Sequence, residues 1–277
     1  MPLKPEESKE SLKSILRFVA QFCEQNKIQY YLAWGTLIGA VRHQGFIPWD
    51  DDIDIWMPRP DYNRFIQLFK NQPYRFRSMQ TEPDFPLCFG KVCDERYSAM
   101  DEFGKDFGLY VDVFPLDGLP DDDNASQKHI REIRRNEQLW SSQVLTRKLP
   151  ISRKMPFKKN LKVIVSRLIH PFFPIQRIQK RFSHLYEKYN WENAERVIDF
   201  STDRIFQKSM FSPAINGIFE GGEYCIPRDY DSVLRMIYGD YMVLPPEEKR
   251  ISHHMKTYYN LYEREDDETV WRKAHQA

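Results

Sequence analysis

Four aspartates, Asp50, Asp51, Asp52 and Asp54, stand beside the Ile, Trp and Pro residues of the stretch "PWDDDIDIWMPRPD". No other feature constrains the fold as much, because carboxylates this close repel one another and resist burial unless positive charge joins them. Over Asp52 to Ile55 charged and apolar residues alternate, the period of a strand with one face in a core. On such a strand Asp52 and Asp54 share a face, with α-carbons roughly 6.5–7 Å apart, while Ile53 and Ile55 point inward. The pair can converge on a hard divalent cation, or it can be the polar face of an edge strand; Asp50 and Asp51, ahead of the alternation, are expected to shape the turn or to support the ligands from behind.

A third carboxylate favours the cation. In "LYVDVFPLDG", Asp112 sits between Val111 and Val113 in a second strand-like run. An all-oxygen site of this kind suits Mg²⁺, with Mn²⁺ as an alternative, and keeps room for a phosphate. An EF-hand is excluded: counting from Asp50, Ile55 falls where the turn glycine is required and Asp61 where the bidentate Glu belongs. Upstream, Gly35 lets backbone N–H groups approach an anion at a strand-to-helix junction, and Thr36 is placed to cap the short helix "LIGAVRHQ".

The first 115 or so residues read as a small mixed α/β unit. A helix is expected over Glu7–Asn26, where Leu12, Ile15, Leu16, Val19, Phe22 and Cys23 recur at helical spacing. Strands follow at "KIQYYLAWG", at "DIDIWM", and near Tyr74–Met79, Leu87–Asp94 and Leu109–Phe114, with a helix at "DYNRFIQLFKN". From Asp121 the pattern turns helical: "NASQKHIREIRRNEQLWSSQVL", "KKNLKVIVSRLI" and "IQRIQKRFSHLYEKY". The expected division is a catalytic core over 1–120, a helical region over 121–220, and a segment over 221–277 that packs back on the core.

With 41% apolar and 14% aromatic residues the chain is not disordered, and 41 basic against 40 acidic residues give a net charge of +1. That balance argues against a nucleic-acid partner. The charge is unevenly spread, since eleven Lys or Arg and no Asp or Glu lie between Arg147 and Arg181. The basic stretch is either a solvated helix face or a surface for anionic lipid at the inner face of a membrane. The N-terminus lacks a signal-peptide pattern and no apolar run is long enough to span a bilayer, so a cytoplasmic protein is expected. Cys23, Cys88, Cys93 and Cys225, scattered without a CxxC pair, read as reduced thiols; zinc through Cys88 and Cys93 is the alternative.

"GTLIGAVRHQGFIPWDDDIDI" closely resembles the signature of the LicD family, phosphocholine-type transferases related to fukutin with a nucleotidyltransferase-like fold. The resemblance extends to "YVDVFPLDG" and to "CIPRDYDSVLRMIYGDYMVLPPEEKR". It implies a CDP-linked donor such as CDP-choline and a cell-surface glycan acceptor, probed through Gly35 and Thr36 as the glycine-led loop, Asp52 and Asp54 as the metal pair, and Asp112 as the third carboxylate. Asp112 could serve as general base or as a pure ligand.

Arg42, His43 and Lys91 are candidates for phosphate oxygens, with solvent exposure or structural ion pairing as the alternatives. A quaternary ammonium would favour aromatic faces, and Trp34, Trp49, Trp56 and Tyr110 lie near the motifs, as core residues or as that surface. His253 and His254 are either exposed or binding residues. The rivals are a sugar-nucleotide glycosyltransferase with a DxD metal pair, a nucleotidyltransferase, and an inert glycan-binding scaffold. A glycosyltransferase would be expected to carry a longer nucleotide-binding α/β segment ahead of the pair.

Overall fold

An eleven-residue strand, every residue of it buried, runs through the centre of the molecule at Leu109–Leu119 and organises what surrounds it. The computed structural model describes residues 3–70, 72–99, 106–152, 156–251 and 258–260. His253 and His254 lie outside the described residues. In chain order the elements begin with α1 (Pro5–Asn26), β1 (Tyr31–Leu32), α2 (Trp34–Ile38, continued by a π turn over Gly39–His43), β2 (Asp54–Pro58) and α3 (Arg59–Leu68). Next come β3 (Arg75–Arg77), β4 (Gly90–Asp94), β5 (Tyr97–Ser98) and the central strand, β6. Helices α4 (Asp123–Val144), α5 (Phe157–Ile169) and α6 (Ile175–Tyr186) follow, then β7 (Arg196–Asp199) and β8 (Arg204–Gln207). The chain continues through β9 (Ile215–Phe219), β10 (Gly222–Ile226), α7 (Tyr230–Tyr238) and β11 (Tyr259–Asn260).

The main sheet has seven strands in a mixed arrangement, so the fold is α/β. Up to Leu116, β6 lies parallel to β2 on one side and antiparallel to β4 on the other, and β1 and β3 extend the two edges. Its last residues, Asp117–Leu119, pair instead with β7, which carries β8. Val92, Val111 and Val113 join Leu12, Ile15, Leu16 and Val19 of α1 and Phe65 of α3 in the main core. Full burial of each such side chain stabilises the fold by roughly 1.5–3 kcal/mol.

α4 and α6 build a second core over the far end of β6, with Leu119, Ile133, Trp140, Phe182, Leu185 and Ile198. Asp122 opens α4 by accepting the Ala125 N–H at 2.7 Å, which satisfies one of the free amides of a first turn. The two cores meet at a buried ion pair. Arg59 donates to both carboxylate oxygens of Asp117, at 2.6 and 2.8 Å, with its guanidinium against the Tyr62 and Tyr186 rings. Nearby, Asp199 is buried and accepts the Trp56 indole N–H at 2.8 Å and the Ser201 N–H and hydroxyl. Burial nevertheless pushes its carboxyl up to about 6.

Several expectations need correction in detail. β2 begins at Asp54, so Asp52 precedes the strand, and all five β2 residues are buried in place of the expected alternation. The segment 121–220 holds the three expected helices and also β7, β8 and β9, of which β7 and β8 join the main sheet. The four cysteines are free, and Cys88 and Cys93 belong to different apolar clusters.

Candidate active site

The Asp54 backbone is fixed on both sides. Its N–H donates to the Thr36 hydroxyl at 2.9 Å, and its C=O accepts the Ala33 N–H at 3.0 Å. Thr36 therefore does not cap α2 as expected: the helix starts earlier, at Trp34, and the buried hydroxyl is spent on the strand. In the next strand the Asp112 N–H donates to the Ile53 C=O at 2.9 Å, which sets the parallel register and makes Asp54 and Asp112 direct partners. Parallel partners face the same side of a sheet, on strands about 4.8 Å apart.

Asp50, Asp51 and Asp52 come together in the turn ahead of β2, each offering a carboxylate oxygen within 4.8 Å of the others. The expectation that Asp52 and Asp54 share a strand face is replaced by this arrangement. A half-buried turn cluster of three adjoins a buried strand pair, and Asp50 and Asp51 belong with the acids. Burial, then the charges of Asp52, Asp112 and Asp50, raise the Asp54 carboxyl well above the usual range. Gly35 accommodates the cluster: a Cβ there would lie 2.5 Å from the Asp50 Oδ2.

One cation is built in. Lys91, the antiparallel partner of Asp112, is buried and donates to the Asp112 Oδ1 at 2.5 Å. Its ammonium also sits 3.5 Å from the centre of the Tyr110 ring. This contact combines an ion pair with a cation–π interaction in a desolvated setting.

Aromatic rings border the acids. Trp34 has a positive φ of 45°, a conformation that costs a bulky residue of order 1–3 kcal/mol. Its half-buried ring packs on Trp56 and Phe114, at centroid distances of 5.1 and 6.4 Å, and Phe89 lies 4.4 Å from Phe114. Trp56 and Tyr110 are core residues, whereas Trp49 is half-buried with the Arg250 guanidinium 5.7 Å from its ring. Two tyrosines without an assigned role in the sequence also feel the acids. Desolvation comes first in raising the hydroxyl of both Tyr258, which is buried, and Tyr238, which is 44% exposed as a whole residue; the charges of Asp54, Asp50 and Asp52 add to it at Tyr238, and those of Asp51, Asp112 and Asp52 at Tyr258. Tyr238 falls inside the C-terminal motif, which was the available signal.

Arg42 and His43 end the π turn. The Arg42 guanidinium donates to the Tyr241 C=O and to the His43 Nδ1, so it ties the motif loop to the segment after α7. His43 is held below its ordinary value by burial and by Arg42. The loop is clamped from the other side by Glu220, whose carboxylate accepts the Phe46 N–H at 3.1 Å.

Hard oxygen donors at this spacing fit a small divalent cation that takes oxygen ligands. Buried acids on two adjacent interior strands, a lysine on the third and a half-buried turn of acids beside them make up the candidate site. Residues 27–139 match the LicD/FKTN/FKRP nucleotidyltransferase domain. Over 260 residues, 90% of this chain and 95% of the relative, the chain is 32% identical to the lipopolysaccharide cholinephosphotransferase LicD of Haemophilus influenzae. Shorter matches reach an uncharacterised protein of Rickettsia typhi, 34% identical over 39% of this chain and 34% of that one, and the human ribitol 5-phosphate transferase FKRP, 36% identical over 21% and 12%. The chain belongs to the LicD family, and it is an enzyme of the phosphotransferase class.

Proposed function

We propose that the protein transfers phosphocholine, or a related phospho-substituent, from a CDP-linked donor to a saccharide of a cell-surface glycan such as teichoic acid, capsule or lipopolysaccharide. The observation that carries this reading is the partnership of Asp54 with Asp112 beside the Asp50–Asp52 turn, in a chain that spans nearly all of a cholinephosphotransferase relative. The reaction breaks the bond between the choline-bearing phosphorus and the bridging oxygen of CMP. A sugar hydroxyl forms the new P–O bond and gives up its proton.

Asp52, Asp54 and Asp112, with Asp50 and Asp51 at hand, would hold Mg²⁺ or Mn²⁺. When bound, the metal supplies charge neutralisation for the diphosphate and the departing CMP. Lys91 orients the Asp112 carboxylate, and Asp112 accepts the hydroxyl proton or ligates the metal. Gly35 leaves room for Asp50 while Thr36 fixes Asp54. Trp34 and Phe89 offer aromatic faces for a quaternary ammonium. Arg42, His43 and Trp49 shape the loop that closes one side. The acceptor is carried on a lipid and met at the cytoplasmic face of a membrane.

A panel of CDP-linked donors offered with Mg²⁺ tests the reading. CMP release with phosphocholine appearing on the saccharide is expected. Release of a nucleoside diphosphate with sugar transfer, or attachment of the nucleotide itself, would overturn it.

A further inference from the structure

One helix of the protein carries its apolar side outward. On α5, Phe157, Leu161, Ile164, Val165 and Leu168 are exposed, and the turn that follows adds Phe172; Phe157, Leu168 and Phe172 are 79%, 67% and 71% exposed. These positions follow one another at steps of four, three, one, three and four residues, which places them on a single helical stripe. The buried residues of α5, Val163 and Ser166, fall on the opposite side. That side is fastened to the body: the Ser166 and Ser142 hydroxyls share a hydrogen bond of 2.7 Å, and Arg167 donates to the Arg147 and Leu149 C=O groups. The outward stripe is thus a fixed feature of the fold.

Charge identifies what it meets. Lys158 and Lys162 flank the stripe on one side and Arg167 on the other, within the stretch from Arg147 to Arg181 that has eleven basic and no acidic residues. Lys158 and Lys162 also line a groove between α4 and α5. A second copy of this chain would bring like charges together. A nucleic acid would leave the phenylalanines and leucines unburied. An anionic bilayer accepts both, taking the apolar side chains below its headgroups and the lysines at their level. At 13 residues α5 is about 20 Å long, too short to cross a bilayer, and among the described residues no helix is long and apolar enough to do so.

We propose that α5 and the turn after it are a docking surface for anionic lipid bilayers. The helix lies in the plane of the interface, and this deepens the reading of a lipid-carried acceptor. The docking brings the enzyme to a substrate confined to two dimensions, and it weakens as ionic strength rises because part of the attraction is screened.

Sedimentation of the full chain with phosphatidylcholine vesicles, with and without phosphatidylglycerol, tests the proposal. Binding to the anionic vesicles alone is expected. Lys158→Gln with Lys162→Gln should weaken it by about 25-fold, from roughly a factor of five per lysine near the surface. Phe157→Ser with Leu168→Ser should remove the part of the binding that survives high salt. Equal binding to both vesicle types, no binding at all, or unchanged binding by both variants would overturn the proposal. Phosphocholine transfer to a lipid-free saccharide, measured in parallel, separates the two claims. Vesicle binding without transfer keeps the docking surface and sinks the donor assignment, and transfer without vesicle binding does the reverse.

Discussion

Asp54 and Asp112 are register partners across the parallel pair of β2 and β6, so two buried carboxylates leave one sheet face side by side. Their strands are closer than residues two apart on a single strand, about 4.8 Å against 6.5–7 Å. The cost of placing them together is offset by Lys91 on the third strand, at 2.5 Å from Asp112. Such a pairing is unfavourable for stability alone, and buried like charges are characteristic of sites that bind cations or phosphate.

The Thr36 hydroxyl is the acceptor for the buried Asp54 N–H. Thr36→Val keeps the shape and removes the acceptor, which should cost about 1–3 kcal/mol and release the position of Asp54. Urea unfolding should show that loss, and activity should fall with it. Thr36→Ser should restore both, and a Val variant as stable and active as the parent would refute the role.

Lys91 is the cation against Asp112, and both are buried. Lys91→Met leaves the carboxylate uncompensated among other acids, so a destabilisation of about 3–5 kcal/mol is expected. Chemical denaturation checks this, and the same variant should regain stability when Asp112 is also changed to Asn. Additive effects of the two changes would contradict the pairing.

Asp199 carries a pH signature away from the site. Its carboxyl stands at about 6 in the folded protein, against an ordinary 3.8, because burial outweighs the donors Ser201 and Trp56. The folded state therefore holds a proton that the unfolded state has lost between those values. Its contribution is fully present below pH 3.8 and is lost as pH rises through about 6. The amount is at most about 3 kcal/mol at roughly 1.4 kcal/mol per pH unit. Stability curves from pH 4 to 7 should slope less in Asp199→Asn than in the parent; equal slopes would count against the assignment.

Much of the site was legible because strand patterning and acid placement coincide. Asp112 between two valines reads as an acid on a core strand, and Thr36 of the glycine-led motif stands against Asp54, the register partner of Asp112. The role of Thr36 was misread because a Thr after a Gly has the local chemistry of a cap, whereas its partner is a strand amide eighteen residues on. Asp52 was misplaced because alternation continues one step beyond where the ladder begins, and there the turn gathers Asp50, Asp51 and Asp52. β7 and β8 escaped notice since each is four residues long with charged or polar ends, in a stretch dominated by helices. β7 pairs with β6, far away in the chain, so no local pattern announces that contact, and β8 follows as the hairpin partner of β7. The influence of the acids on Tyr258 likewise comes from tertiary packing, whereas Tyr238 lay inside the C-terminal motif.

The most direct test of the account is phosphocholine transfer by Asp54→Asn and Asp112→Asn, measured as CMP release from CDP-choline with Mg²⁺ and set beside thermal unfolding of each variant without metal. Each substitution should reduce transfer on the order of 10²–10³-fold, the scale lost when one electrostatic stabiliser of a transition state is removed. Asp54→Asn should unfold at the same or a higher temperature, because one repelling charge has left a buried cluster. Folded variants that release CMP at the parent rate would contradict the account.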